Sequence, residues 1–183
     1  MTDQLFYTIF NTAAGWVGLL GSSAGVSRVI LPQPTDVKAV SLVLENVNEG
    51  VPSASFFEGL VKRLQAYFAG KAVDFPDKLD FGEATTFQRD VWEATRKIPY
   101  GKTHTYAWIA AQAGKPQAVR AVGQALGRNP VPIIVPCHRV TNTGGGLGGF
   151  SGTGGLTTKK YLLKLENNRH QERQDKQLML DLT

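Results

Sequence analysis

The sequence has few cysteines and no long apolar run. Its 183 residues include 1 cysteine, Cys137, which excludes an internal disulfide and a cysteine-rich zinc site. No apolar stretch reaches the roughly 18 residues that span a bilayer. The apolar start from Leu5 to Leu20 also lacks the basic residues that precede it in a signal peptide. We expect a soluble, cytoplasmic protein with no cofactor, no metal and no membrane contact.

The two halves of the chain have net charges of opposite sign, because basic residues are the minority in the first half and acidic residues are the minority in the second. Residues 1–84 carry 6 Lys/Arg and 9 Asp/Glu, whereas residues 85–183 carry 14 Lys/Arg and 6 Asp/Glu. A basic half is typical of proteins that bind a polyanion through its phosphates. A solvated basic face has the same composition, so charge alone leaves both interpretations open.

The first half has the pattern of a small sheet followed by a helix. Apolar runs separated by turn residues predict three antiparallel strands, at Leu5–Phe10, Trp16–Leu20 and Val26–Leu31. Phe56, Leu60, Leu64 and Phe68 recur every four residues and predict an amphipathic helix that ends before Gly70. The acidic stretch 74–83 is interpreted as a boundary. No residue of this half is predicted to carry function.

The second half begins with three predicted helices. Thr85 and Gln88 form a capping-box pattern before an apolar stripe, and Trp92 beside that stripe is expected to pack in the core. Thr105 can cap a helix from Tyr106 to Ala113, and Pro116 suits the first position of the next helix, which reaches Leu126. This spacing predicts a helix-turn-helix.

The second of these helices has two different faces. A wheel places five apolar residues on a core face: Ala118, Val119, Val122, Ala125 and Leu126. The opposite face holds polar residues and glycines: Gln117, Arg120, Gly123, Gln124 and Gly127. Small residues around one arginine permit close approach to nucleic acid, and a single arginine can fill the gap left by an extruded base. The alternative interpretation is a solvated helix face that binds no nucleic acid.

The strongest local signal is the run Asn129-Pro-Val-Pro-Ile-Ile-Val-Pro-Cys-His-Arg-Val140. Its prolines exclude a helix and predict an extended, stiff segment that presents Cys137. A lone cysteine is commonly a small buried apolar residue. His138 and Arg139 favour a nucleophile instead, because basic neighbours lower a thiol pKa.

A carboxylate that orients His138 would complete a Cys-His-acid relay. Glu166 closes the apolar segment Tyr161–Leu165 and is the preferred candidate among six in this half, the others being Asp90, Glu93, Glu172, Asp175 and Asp181. Between the cysteine and Glu166, residues 144–155 form a glycine-rich loop. Phe150 in that loop can stack on a flat ring, although a flexible surface loop is equally consistent with the composition.

These motifs resemble the O6-alkylguanine-DNA alkyltransferase family. The resemblance rests on Pro136-Cys-His-Arg-Val140, on Asn129-Pro-Val-Pro132 and on Ala118-Val-Arg-Ala-Val-Gly123, and it extends from about Phe87 to Glu166. It implies an α/β N-terminal domain of ribonuclease-H-like shape over residues 1–82. A mostly helical domain with a helix-turn-helix would follow over 83–170, and then a polar tail, frayed or weakly helical, over 171–183.

The resemblance also implies the activity: direct, irreversible transfer of an alkyl group from O6-alkylguanine in double-stranded DNA to a protein cysteine, by a monomer acting once. Each role is transferred to the matching residue. Cys137 would be the acceptor, activated through a water by His138, which Glu166 orients; Asn129 would stabilise the turn, and Tyr106 would donate to the purine. Arg120 would replace the flipped nucleotide in the minor groove, beside Gln117, Gly123 and Gln124, while backbone groups of Cys137, Val140 and Ser151 would read the guanine.

The chain departs from the family pattern at two places in the glycine-rich loop. Phe150 stands where a tyrosine is usual, and the loop is longer by about two residues at Thr153-Gly154. The zinc ligands of some relatives are absent. Three rival functions stay open: a lesion-binding protein without chemistry, a dimeric sequence-specific regulator and a cysteine hydrolase using Cys137, His138 and Glu166.

Overall fold

The structure, a computed structural model, describes residues 4–180 and the side chains of residues 4–167. The three predicted strands are present as β1 (Phe6–Thr12), β2 (Gly15–Ser22) and β3 (Gly25–Gln33). They pair antiparallel, and a short β4 (Val51–Pro52) adds a parallel edge next to β1, giving the order β3-β2-β1-β4. The N-terminal half is therefore a mixed sheet.

Two helices cover this sheet. The segment around Val37, which the sequence left undecided, is helix α1 (Asp36–Val43), capped by the Thr35 side chain. The predicted amphipathic helix is a 3-10 turn at Ser55–Phe57 followed by α2 (Glu58–Phe68). Leu60, Leu64 and Phe68 are buried as expected, but Phe56 lies in the turn and is 43% exposed. Gly70 ends the helix at a φ of 78°.

The second half is mostly helical and shares one hydrophobic core with the sheet. Helix α3 (Thr86–Arg96) has the predicted capping box between Thr85 and Gln88. Trp92 is buried and its indole N–H donates to the Ala125 carbonyl, so the packing interpretation of this residue is confirmed. Helix α4 (Tyr106–Gln112) is capped by Thr105, and α5 is Val119–Gly127.

Helix α5 corrects two predictions. It begins at Val119 and not at Pro116, because Ala118 leaves the helical conformation and closes a turn by donating to the Lys115 carbonyl. Its buried residues are Val122, Ala125 and Leu126, whereas Val119 is 39% exposed. Val119, the first residue of the helix, lies at the surface beside the exposed Arg120.

The last elements frame the cysteine. A 3-10 turn at Cys137–Arg139 precedes β6 (Val140–Thr141), which pairs in parallel with β5 (His104–Thr105). Helix α6 (Gly155–Leu180) then packs on that turn. The backbone of the predicted polar tail is helical as far as Leu180, and residues 181–183 lie outside the described part. No helix in the described part of the chain is long and apolar enough to span a membrane.

Candidate active site

The segment that carries Cys137 is folded back on itself, which corrects the prediction of an extended run. Val135 donates to the Val131 carbonyl, and Ile133 takes a positive φ of 76°. Asn129 holds this turn together: its Nδ2 donates to the Val135 carbonyl at 2.9 Å and its Oδ1 accepts from the Val131 N–H at 3.0 Å. The prolines do prevent a helix, but the asparagine side chain makes the shape.

The same amide contacts the thiol. Asn129 Nδ2 lies 3.3 Å from Cys137 Sγ, in donor geometry. Cys137 is half-buried, so one side of the sulfur faces an opening while the other faces protein. A donor aimed at sulfur favours the thiolate over the thiol.

Behind the thiol lies a buried group that we call the relay cluster: Tyr67, His138, Arg139 and Glu166. His138 Nε2 is 2.7 Å from Glu166 Oε1, and both side chains are fully buried. Arg139 grips the same carboxylate with its Nε at 2.9 Å from Oε2 and its Nη2 at 2.9 Å from Oε1. The sequence therefore selected the carboxylate that the fold brings to His138, while Asp90 and Glu93 are exposed on α3.

Two further donors complete the carboxylate's surroundings. The Gly101 N–H donates to Glu166 Oε2 at 3.0 Å. Tyr67, from α2 in the other half of the chain, donates its hydroxyl to Glu166 Oε1 at 2.7 Å. Sequence reasoning missed Tyr67, because nothing in the pattern of an amphipathic helix separates a core tyrosine from one whose hydroxyl reaches a site 99 residues away.

The contacts within the relay cluster determine which of its side chains are charged. Burial alone would raise the Glu166 pKa, but the hydrogen bonds from His138 and Arg139 and the charge of Arg139 lower it to about 2. Burial also lowers the pKa of His138, which keeps its imidazole neutral at neutral pH. Because a carboxylate only accepts, the neutral imidazole carries its proton on Nε2. His138 Nδ1 is left buried and, among the described residues, without a partner.

The expectation that basic neighbours lower the thiol pKa of Cys137 is wrong for this structure. Burial raises that pKa, against smaller opposing effects from the Asn129 hydrogen bond and the Lys159 charge. The physical reason is that neither adjacent basic side chain donates a hydrogen bond to sulfur or places a positive charge beside it. Arg139 is committed to Glu166 and to the Ile98 carbonyl, and His138 Nε2 is committed to Glu166.

Lys159 is the cation that does act on the thiol, and no sequence pattern indicated it. It is fully buried on α6, and its ammonium donates to the Val140 carbonyl at 2.5 Å and to the Gly149 carbonyl at 3.1 Å. Burial lowers its pKa to about 8. Lys159 thus ties the glycine-rich loop to the strand after the cysteine.

In front of the thiol lies an open cavity of about 880 Å³, which we call the acceptor cavity. Helices α4 and α5 form one wall and the glycine-rich loop forms the other. Its lining includes Cys137 and six residues predicted from the sequence: Tyr106, Arg120, Gly123, Gln124, Phe150 and Ser151. A volume of this size accommodates a nucleobase with its sugar.

Tyr106 and the loop are closely fitted. The Tyr106 hydroxyl donates to the Gly149 carbonyl at 3.2 Å, and the ring lies against Gly148. A Cβ at Gly148 would come within 2.6 Å of the ring, and its φ of 70° also favours glycine. Ser151 is fixed by its hydroxyl, which donates to the Gly127 carbonyl at 2.8 Å.

Two predicted residues lie away from the cavity. Gln117 is exposed in the turn before α5, and Val140 is fully buried with its carbonyl engaged by Lys159. Among the side chains of residues 4–167, no three His, Cys, Asp or Glu residues are grouped as metal ligands.

The chain is similar to known proteins over most of its length. Residues 86–168 match the family model for the 6-O-methylguanine DNA methyltransferase DNA-binding domain. The methylated-DNA–protein-cysteine methyltransferase of Methanosarcina barkeri is 40% identical over 164 residues, which cover 90% of this chain and 98% of the relative. The protein of the same name from Methanosarcina mazei is 47% identical over the same length, with the same two coverages.

Solved structures give the same result. A crystal structure of Mycobacterium tuberculosis OGT in complex with DNA is similar with a TM-score of 0.74 and 38% identity, covering 90% of this chain and 94% of that one. The O6-methylguanine-DNA methyltransferase of Pyrococcus kodakaraensis has a TM-score of 0.61 at 28% identity, covering 89% and 99%. Both solved structures match this chain over nearly their whole length. The chain belongs to the methylated-DNA–protein-cysteine methyltransferase family.

Proposed function

We propose that this protein repairs DNA by transferring the alkyl group of O6-alkylguanine directly to Cys137. The observation that carries the proposal is the position of one thiol between a buried His138–Glu166 pair and an open cavity of nucleobase size. The family membership gives the substrate class. The basic second half supplies charge for a polyanion.

The proton leaves sulfur through His138. Glu166 holds the Nε2 proton, so the Nδ1 lone pair is the base, and one water bridges it to the thiol. His138 is the general base, Glu166 and Asn129 are positioning residues, and Lys159 stabilises the thiolate by its charge. This division explains how a thiol whose resting pKa is raised by burial ionises when substrate arrives.

The thiolate then attacks the alkyl carbon. A sulfur–carbon bond forms as the bond from that carbon to guanine O6 breaks, and the electron pair of the broken bond goes to the purine. The Tyr106 hydroxyl, which turns from the Gly149 carbonyl to the purine, stabilises this charge as it develops. The purine anion then takes up one proton from solvent at a ring nitrogen to give guanine, and His138 releases the proton it took from sulfur to solvent. The thioether has no hydrolytic exit, so each chain acts once.

The target atom lies inside the base stack, so the nucleotide must be flipped into the acceptor cavity. Helices α4 and α5 act as a helix-turn-helix that docks in the minor groove. Arg120 occupies the vacated stack, and Gly123 lets the α5 backbone approach the DNA, with Gln117 and Gln124 beside it. Backbone groups of Cys137 and Ser151, which line the cavity, read the guanine edge, whereas the carbonyl of the buried Val140 is engaged by Lys159. Phe150 stacks on the ring without the hydroxyl of a tyrosine.

The proposed architecture has two domains followed by a polar tail. The domain boundaries are those of the sequence, at residues 82 and 170, and the N-terminal mixed sheet with its helices is of the ribonuclease-H-like kind. The protein acts as a monomer. Localisation in the cytoplasm stays a prediction, which cell fractionation tests.

Stoichiometry tests the proposed function. Duplex DNA with one O6-methylguanine is added in excess to a known amount of protein, and restored guanine is counted by chromatography of the digested DNA. We expect a plateau at one guanine per chain, and none with Cys137→Ala. Repeated turnover would indicate a hydrolase. Lesion binding without restored guanine would indicate a recognition protein, and equal affinity for undamaged duplex of one particular sequence would indicate a regulator.

A further inference from the structure

Tyr67 is the one member of the relay cluster that comes from the N-terminal half. It lies near the end of α2, is fully buried, and packs edge-on against the rings of Phe68, Phe75 and Tyr100. Apolar packing accounts for the ring. It does not account for the hydroxyl, which a phenylalanine would lack at no cost in packing.

The hydroxyl is aimed at one atom. It donates to Glu166 Oε1 at 2.7 Å and lies 3.3 Å from His138 Nε2, so tyrosine, carboxylate and imidazole form a closed triangle. Oε1 is also the oxygen that accepts from His138. Any change in the charge or position of Oε1 is therefore felt by the imidazole.

Every charged or titratable group that faces His138 bears on this triangle. Glu166 and Lys159 approach from α6, Arg139 and Cys137 from its own turn, and Tyr67 from α2. Burial and the Glu166 charge raise the pKa of Tyr67 well above its ordinary value, so its hydroxyl stays a donor at every pH of interest. Its proton is committed to Oε1, an oxygen that also accepts from the Nε2 proton of His138 and from Arg139 Nη2.

We propose that Tyr67 is a positioning residue whose hydroxyl holds Glu166 Oε1 and thereby keeps His138 in the form with its proton on Nε2 and its lone pair on Nδ1. The inference rests on the proposed function only in that the lone pair serves Cys137. It extends the working site into the half of the chain in which the sequence indicated no function.

The Tyr67 hydroxyl also reduces the effect of the Glu166 charge on His138. By taking part of the negative charge on Oε1, it weakens the pull of Glu166 on the imidazole proton. Without it, Glu166 would stabilise the protonated imidazole more strongly, and the pKa of His138 would rise. A larger share of the protein would then carry a protonated histidine that cannot act as a base.

The test compares Tyr67→Phe with Tyr100→Phe. Both changes remove one hydroxyl from the same aromatic group, but the Tyr100 hydroxyl donates to the backbone carbonyls of Gly70 and Leu165. Single-turnover transfer from a duplex with one O6-methylguanine is measured between about pH 5 and 9 for both variants, with DNA affinity measured separately. Nitrogen-15 NMR of the His138 ring in the DNA-free protein follows its tautomer and titration.

For Tyr67→Phe we expect the transfer rate to fall by about 10-fold at mildly acid pH. The difference in rate from the unchanged protein should become smaller as pH rises, and the DNA affinity should not change. The His138 titration moves to higher pH. Tyr100→Phe should have the same pH profile of the transfer rate and the same His138 titration as the unchanged protein. Circular dichroism and thermal melting verify that each variant is folded.

An unchanged His138 titration and pH profile in Tyr67→Phe would overturn the proposal, and so would the same shift in Tyr100→Phe. If the unchanged protein transfers no alkyl group, the proposed function fails. The NMR comparison then still decides whether Tyr67 positions His138.

Discussion

The two sides of Cys137 are built in opposite ways. The relay cluster behind it is buried, and its carboxylate is surrounded by donors: Glu166 accepts from Tyr67, His138, Arg139 and the Gly101 N–H. The acceptor cavity in front is open, with exposed Arg120 and Gln124 and a wall of glycines. Proton removal is the same for every lesion and tolerates a fixed geometry, whereas substrate entry needs space.

The two sides also differ in how the chain assembles them. The acceptor cavity uses residues from 106 to 151. The relay cluster joins residues 67, 138, 139 and 166, so it forms only when both halves have folded together. Loss of the relay should therefore affect the whole fold, and changes in the cavity should affect substrate first.

Glu166→Gln should give the largest effect on stability. It removes the partner of a buried Arg139, and an uncompensated buried charge typically costs about 3–5 kcal/mol. Urea unfolding measures this. The matched control is Glu93→Gln, which breaks the pair with Arg96 on the surface, where Glu93 is 53% exposed and a cost below about 1 kcal/mol is expected. Equal losses in the two variants would contradict the contrast between the relay and the surface.

The free energy of unfolding should also fall in acid, because the relay cluster depends on the charge of Glu166. The folded pKa of Glu166 is lowered to about 2 from an ordinary 4.5. The unfolded chain therefore takes up a proton first, and the carboxylate's stabilisation is present above pH 4.5 and lost as pH falls towards 2. The expected loss is about 3 kcal/mol. Unfolding at a series of pH values measures it, and Glu166→Gln should flatten that part of the curve.

On the cavity side, Gly148→Ala should reduce repair without a comparable loss of fold. Its Cβ would clash with the Tyr106 ring, and overpacking of this kind costs about 1–3 kcal/mol. Single-turnover repair should fall by about 10-fold or more. Gly145→Ala is the control: its φ of 87° is also positive, but a Cβ there meets nothing within 4 Å. Equal repair by the two variants would show that Gly148 does not shape the cavity.

The smallest expected effect is that of Gly123→Ala, which should raise the stability of the protein and weaken its binding to DNA. Gly123→Ala places a Cβ no closer than 4.0 Å to Tyr106 and replaces a helical glycine, so the free energy of unfolding should rise by about 0.5–1 kcal/mol. The proposed close approach of α5 to DNA predicts a weaker affinity for lesion duplex. Thermal melting and fluorescence anisotropy measure the two. A tighter complex would argue against docking through this face.

The sequence predicted what local patterns determine. Apolar runs located β1 to β3, the Thr85–Gln88 spacing located the start of α3, and Thr105 located α4. The positions of Asn129, Cys137, His138 and Glu166 came from motif and resemblance, and the fold brings them together. Local chemistry was sufficient for the strands and helix starts, because each of those patterns lies within a few residues. Glu166, 28 residues from His138, was instead selected from six carboxylates and through the resemblance.

What the sequence missed depends on distant contacts. Tyr67 and Lys159 look like an ordinary core tyrosine and a surface lysine until the fold turns them to Glu166 and Val140. The wrong expectation for the Cys137 pKa has the same origin. Neighbours in sequence were taken as neighbours of the sulfur, yet Arg139 is held by a carboxylate 27 residues away.

The most direct test of the account follows the alkyl group itself. Duplex DNA carrying O6-methylguanine with a deuterated methyl group is mixed with the protein, and peptide mass spectrometry locates the label. We predict one labelled methyl group per chain, on Cys137, and a slower appearance of the label in Glu166→Gln than in Glu93→Gln. Label on any other residue, or restored guanine with no label on the protein, would contradict transfer to this thiol.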